Sequence, residues 1–203
     1  PYTTSKLQQD AANRLGFTSR KTMQVAQQLY EGIQIGSSRV GLITYMRTDS
    51  VRIAQSALDD VRKWIGKNFP DQLPAEPIHY AVGKSAQDAH ECIRPTYIDY
   101  TPDSVKEYLT RDQLRLYSII WERFFSSQMN NAKTRTTSVD IEAGDALFRV
   151  SASKLIEKGF YSVMKVLSSK EEVTGNIPAL KEGEVLDSAH KFYPEQHFTS
   201  GPA

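Results

Sequence analysis

The sequence predicts an α+β fold: a mainly helical, winged-helix-like domain over residues 1–128, then a partial antiparallel β domain over residues 129–203. Two observations lead there. Before Gln128, apolar residues recur at helical spacing in successive stretches, each closed by glycine or proline. After Gln128, strand formers cluster or alternate: Thr134, Thr136, Thr137, Val139 and Ile141.

The first helix opens at Thr3-Thr4-Ser5, with Ser5 as N-cap and Gln8 as its capping-box partner. Leu7, Ala11, Ala12 and Leu15 form its apolar stripe, and Gly16 stops it at the C′ position. A second helix runs from about Arg20 to Glu31 and ends at Gly32. Two helices around a short turn containing glycine suggest a helix-turn-helix. Arg20 and Lys21 then stand where phosphate contacts are geometrically easy. An ordinary helical hairpin with solvated basic ends explains the same pattern. Residues 34–40 read as a polar, flexible loop in the position of a wing.

The stretch Gly41-Leu42-Ile43-Thr44-Tyr45-Met46-Arg47-Thr48-Asp49-Ser50 reads as a strand that ends where a helix begins. Alternation along a strand would put Tyr45, Arg47 and Asp49 on one face. A guanidinium fork suits phosphate oxygens, and a nearby cation favours the phenolate form of a tyrosine. That makes Tyr45 a candidate nucleophile. The plainer alternative is a half-buried strand in which Arg47 pairs with Asp49.

Ser50 is the expected cap of a third helix, with the stripe Ala54, Ala57, Leu58, Val61, Trp64 and Ile65, ending near Phe69-Pro70. Residues 71–87 hold Pro74 and Pro77 and read as a loop. Gly83-Lys84-Ser85 lacks the earlier glycine of a phosphate loop, because Ile78 stands there, which excludes that motif. In His90-Glu91-Cys92-Ile93-Arg94-Pro95 the arginine excludes His-Glu-x-x-His zinc chemistry. Arg94 is either a phosphate ligand or the ion-pair partner of Glu91. Thr101-Pro102 starts a fourth helix and Thr110 caps a fifth, whose aromatic residues Tyr117 and Trp121 are assigned to the core.

In the β segment, strands are expected over residues 146–153, 161–166 and 185–190, with a polar loop over 168–175. Asp140 and Glu142 resemble a metal-binding Asp-x-Glu, but two outward positions of one strand explain them more simply.

Charge is balanced, with 25 basic and 24 acidic side chains, so composition neither argues for nor excludes nucleic acid. Residues 1–50 hold a modest excess: Lys6, Arg14, Arg20, Lys21, Arg39 and Arg47 against Asp10, Glu31 and Asp49. The single cysteine, Cys92, excludes an intrachain disulfide and fits a reducing compartment. No signal peptide or apolar run of spanning length is present, so no membrane partner is expected.

Thr44-Tyr45-Met46-Arg47-Thr48-Asp49-Ser50 resembles the active-site tyrosine signature of type IA DNA topoisomerases, in the form found in their bacterial topoisomerase I branch. Pro1-Tyr2-Thr3-Thr4-Ser5-Lys6-Leu7-Gln8-Gln9 resembles the segment that opens the tyrosine-bearing domain. Ala89 to Thr96 resembles the family's His-Glu-Ala-Ile-Arg-Pro block, with Cys92 in place of alanine, and Gln196-His197-Phe198-Thr199 resembles the run into the next domain. The blocks keep the family's order over essentially the whole chain.

The resemblance implies that Tyr45 forms a 5′-phosphotyrosine link to single-stranded DNA, and that Arg47 stabilises the phosphate in the transition state. It implies DNA contacts by Thr48, Asp49, His90 and Arg94, and relaxation of negative supercoils without ATP. Mg²⁺ and the proton for the leaving oxygen would come from a separate Toprim domain, not from this chain. The chain would then be a piece of a longer cytoplasmic enzyme, inactive in relaxation by itself. Residues 129–203 would be part of a hinged arch whose missing strands leave open edges, so the fragment is expected to dimerise or to be poorly ordered there. Two other readings stay open: a non-catalytic winged-helix DNA-binding module, and a protein-interaction module.

Overall fold

The computed structural model describes residues 1–81, 90–164, 173–174 and 177–186. Helix α1 (Thr4–Leu15) is capped by the Thr3 side chain, which accepts from the Lys6 N–H. Thr3 rather than Ser5 takes this role because the chain turns helical two residues sooner than expected. Gly16 closes α1 in the left-handed region. Helix α2 (Ser19–Glu31) is capped by Thr18 and stops at Gly32.

The expected flexible loop is a short antiparallel hairpin, β1 (Ile33–Ile35) and β2 (Ser38–Val40), turned by Gly36 and Ser37 with Gly36 at φ +59°. A glycine with positive φ in a two-residue connection is a hairpin turn signal. The wing is therefore present and regular.

Helix α3 (Gln55–Asn68) begins later than Ser50. Ser50 instead receives the Arg52 N–H on its hydroxyl, while its own N–H goes to Thr48 Oγ1. These local bonds hold the chain extended and compete with helix formation. Helix α4 (Pro102–Val105) is capped by Thr101, and α5 (Arg111–Ser126) opens with a complete Thr110–Gln113 capping box.

Helices α1 and α2 pack on α5. The core joins Leu7 and Ala11 of α1, Val25, Ala26 and Leu29 of α2, and Leu116, Tyr117, Ile120, Phe124 and Phe125 of α5. Helix α3 adds Trp64, whose ring meets Phe125 edge-on at 4.6 Å and Trp121 at 5.3 Å. Tyr117 and Trp121 are core residues, as their spacing suggested.

Beyond α5, β3 (Lys133–Ala143) and β4 (Ala146–Glu157) form a long antiparallel ribbon, to which the short β5 (Val173–Thr174) adds at Ser153 and Lys154. Asp140 pairs with Arg149 across the ribbon at 2.6 Å. The strand expected over 161–166 is absent where described: residues 159–163 form a 3-10 turn. Gly159 explains it, since its φ is +49° and a Cβ there would meet the Asn131 and Ala132 backbone at 2.5 Å. The turn buries Val163 in the helical core. Residues 185–186 carry no strand, and the rest of the strand expected to His190 lies outside the described residues, as do Gly83-Lys84-Ser85 and Gln196-His197-Phe198-Thr199.

Candidate active site

Residues 41–54 form no named strand or helix. Only Ile43 makes a bridge, to Pro95. The segment is nevertheless extended in its burial pattern: Met46, Thr48 and Ser50 are buried, whereas Arg47 and Asp49 between them are exposed. The expected period of two thus survives without a sheet. It is imposed by three anchors.

The first anchor is α2. The Leu42 N–H donates to the Leu29 carbonyl at 2.8 Å. Gly41 lies so close that a Cβ on it would stand 2.7 Å from the Tyr30 carbonyl oxygen. The second is the start of α1. Thr4 donates its N–H to the Thr48 carbonyl and its hydroxyl to the Met46 carbonyl at 2.7 Å, while the Thr48 N–H donates to Thr4 Oγ1 at 2.9 Å. The third is the stretch from His90 to Thr96. Thr44 Oγ1 donates to the Cys92 carbonyl at 2.7 Å and receives the Arg94 N–H at 3.0 Å. The Thr44 N–H donates to the Arg94 carbonyl, and the Thr96 N–H to that of Leu42.

This clamp brings the His90 ring to 5.3 Å from the Tyr45 ring. Tyr30 of α2 also meets Tyr45, edge-on at 5.4 Å. Tyr45 is half-buried between these rings and packs on the core. No described residue hydrogen-bonds its hydroxyl. Arg47 and Asp49 form no ion pair with each other among the described residues, so the plain pairing expected as the alternative is not what holds them.

The other candidates divide. Thr48 is buried, its hydroxyl accepting the Ser50 N–H, so it braces the segment from its inner side. Arg94 is bound to Glu91 at 2.8 Å and to the Pro95 carbonyl at 2.9 Å, which is the structural alternative drawn from its spacing. Lys21 pairs with Asp112 of α5 at 2.6 Å and lies over the Phe17 ring. Arg20 is exposed. Arg20 and Lys21 sit at the opposite end of α2 from Tyr30, about 15 Å along the axis at 1.5 Å per residue. They do not join the Tyr45 cluster.

Sequence reasoning missed the parts played by Thr4, Tyr30 and Thr44, and it read Glu91 only as the partner of Arg94. Glu91 Oε2 receives both the Arg94 Nε–H and the N–H of Ala54, the residue that opens α3. Burial opposes ionisation of Glu91, but Arg94, the Ala54 amide and Arg52 outweigh it and hold the carboxyl below its usual range. Nothing local in the sequence pairs Glu91 with Ala54. Cys92 is fully buried, and burial pushes its thiol up to about 11.

Among the described residues no group of three or more His, Cys, Asp or Glu side chains could hold a metal ion. No helix among the described residues is long and apolar enough to cross a membrane.

A family model described as DNA topoisomerase matches residues 1–203. DNA topoisomerase 1 of Treponema pallidum is 57% identical over 202 residues, covering 100% of this chain and 28% of that protein. DNA topoisomerase 1 of Rickettsia felis is 46% identical over 208 residues, covering 100% of this chain and 27% of that protein. The structure of full-length topoisomerase I from Thermotoga maritima superposes with a TM-score of 0.74 at 37% identity, over 91% of this chain and 29% of that one. The chain therefore spans little more than a quarter of the relatives it matches, and it belongs to the bacterial DNA topoisomerase I family.

Proposed function

We propose that this chain carries the nucleophile of a type IA topoisomerase reaction, and that the nucleophile is Tyr45. The observation that carries the reading is the setting of its phenol. It is half-buried between Tyr30 and His90, bonded through its hydroxyl to no described residue, and followed by an exposed guanidinium at Arg47.

In the step, Tyr45 Oη attacks a backbone phosphorus of single-stranded DNA. The new bond is O–P, and the bond that breaks joins phosphorus to the 3′ oxygen. The phenol loses its proton, and the leaving 3′ oxygen gains one. The 5′-phosphotyrosine link conserves the energy of the broken backbone, so reversal needs no ATP. Arg47 stabilises the negative charge that builds on the phosphoryl oxygens. His90 and Asp49 border the strand at this site. Arg94 acts chiefly through Glu91, holding the clamp, and Thr48 acts through its hydrogen bond with Ser50. Arg20 and Lys21 bind backbone phosphate on a separate surface.

In this reading Mg²⁺ belongs to a Toprim domain elsewhere in the longer enzyme, so the isolated chain does not relax DNA. Residues 1–128 are the tyrosine-bearing domain, and 129–203 belong to the arch. The enzyme acts in the cytoplasm, where its DNA is.

The test is a Tyr45→Phe substitution in the full-length protein, incubated with a single-stranded oligonucleotide and Mg²⁺ and run on a denaturing gel. A covalent adduct that vanishes with Phe supports the reading. An adduct that persists moves the nucleophile to another residue, whereas DNA binding with no adduct in the unsubstituted protein favours the winged-helix binding module. A binding titration that shows no salt dependence and no affinity would leave the protein-interaction module.

A further inference from the structure

Tyr30 has no part in the reaction just described, yet it is placed with unusual constraint. It lies in the last turn of α2 and is 41% exposed, too open for a core residue. Its hydroxyl bonds to no described residue. Its ring meets Tyr45 edge-on, with centroids 5.4 Å apart and planes at 66°. The backbone beneath it is held against the tyrosine segment twice over. The neighbouring Leu29 carbonyl receives the Leu42 N–H at 2.8 Å. The Tyr30 carbonyl itself lies where only a glycine, Gly41, can pass. The position of the Tyr30 ring is thereby tied to the start of the segment that ends in the nucleophile.

We infer that Tyr30 is a positioning residue: with His90 on the other contact, its ring fixes the orientation of the Tyr45 phenol for attack. The inference rests on Tyr45 being the nucleophile. A half-buried phenol with no hydrogen bond to a described residue is oriented by what its ring touches, and edge contacts between aromatic rings are directional. Losing one contact lets the phenol spread over other rotamers, and the rate of an oriented attack falls with the fraction correctly placed. The size of such a contact converts to a loss of about two- to tenfold in the cleavage rate.

The experiment uses the full-length protein with Tyr30→Phe, Tyr30→Leu, Tyr30→Ala and Tyr45→Phe, a single-stranded oligonucleotide and Mg²⁺. It measures the single-turnover cleavage rate at saturating DNA, the oligonucleotide Kd, and the unfolding midpoint. The expected result is a normal rate for Tyr30→Phe, which keeps the ring, and a slower rate for Leu and Ala at an unchanged Kd. A normal rate for Leu and Ala overturns the proposal. So does a loss confined to Kd, which would make Tyr30 a DNA contact. Equal slowing by Phe and Leu overturns it too, because the hydroxyl would then matter rather than the ring. Failure of both Leu and Ala to fold would make Tyr30 a structural residue. An adduct that survives Tyr45→Phe sinks the nucleophile assignment instead, whatever the Tyr30 variants do.

Discussion

Thr44 and Arg94 are joined through backbone and side chain alike: the Thr44 N–H donates to the Arg94 carbonyl at 3.0 Å, and the Arg94 N–H donates to Thr44 Oγ1 at 3.0 Å. Because the Thr44 hydroxyl also donates to the Cys92 carbonyl, one small side chain stitches the two stretches together next to Tyr45 and His90. Thr44→Val keeps the shape and removes both hydroxyl bonds, leaving the Cys92 carbonyl and the Arg94 amide without that partner. The expected cost is about 1–3 kcal/mol. Urea unfolding measures it, and Thr44→Ser should recover most of the loss. The adduct yield should fall with Val as well, since His90 is carried on the far side of the stitch.

Gly41 and Gly66 should respond to alanine with opposite signs. At Gly41 a Cβ would stand 2.7 Å from the Tyr30 carbonyl oxygen, and neither backbone can move without disturbing the Leu42–Leu29 bond. Gly41→Ala should destabilise by about 1–3 kcal/mol. Gly66 lies inside α3, and its added Cβ would meet only the end of the Leu73 side chain at 3.4 Å. Gly66→Ala should stabilise by up to about 1 kcal/mol, through helix propensity. Denaturant midpoints for the two variants, measured side by side, check the pair. Equal effects would contradict the packing described for Gly41.

These contrasts show what the sequence reveals. Signals carried within one turn of chain were readable: the Thr110 cap, Thr101-Pro102, and the stops at Gly16 and Gly32. Where several cap residues compete, as in Thr3-Thr4-Ser5, the local pattern named the wrong one. The start of α3 was misread for a different reason. Ser50 is a good cap by type, but the Ala54 amide at the true start is met by Glu91, from a distant stretch. The place of the wing was read but its strands were not, although Ile33 and Ile35 alternate before Gly36-Ser37, which is hairpin spacing. The alternation of Arg47 and Asp49 was correctly expected, but its cause was not a strand. It is the tertiary clamp from Thr4, Leu29 and Arg94, which no local pattern encodes.

Cys92 should be chemically silent in the folded protein. It has no exposed surface, and burial raises its thiol to about 11, so almost no thiolate exists at neutral pH. Native protein incubated with an alkylating reagent at neutral pH should remain unmodified by mass spectrometry, and should react fully once unfolded in urea. Rapid labelling of native protein would mean that the stretch from His90 to Thr96 opens readily from Thr44.

Stability should depend on pH through Glu91. Its folded-state carboxyl titrates below the ordinary value of 4.5. The unfolded state therefore takes up the proton first as pH falls. The sign follows directly: the contribution of Glu91 is fully present above the unfolded value and is lost as pH drops through the lower, folded one. Glu91→Gln removes the charge that Arg94 and the Ala54 amide favour, so it should be less stable than the unsubstituted protein near neutrality. The gap should begin to narrow as pH falls below about 4.5, where the unfolded carboxyl takes up its proton, and should close only when the native carboxyl is protonated too, at its lower value. Urea unfolding of both proteins from neutral pH down to about pH 3 measures the gap directly. Curves that stay parallel through this range would mean that Glu91 is not held ionised by its partners, and that the start of α3 is fixed by something other than that carboxylate.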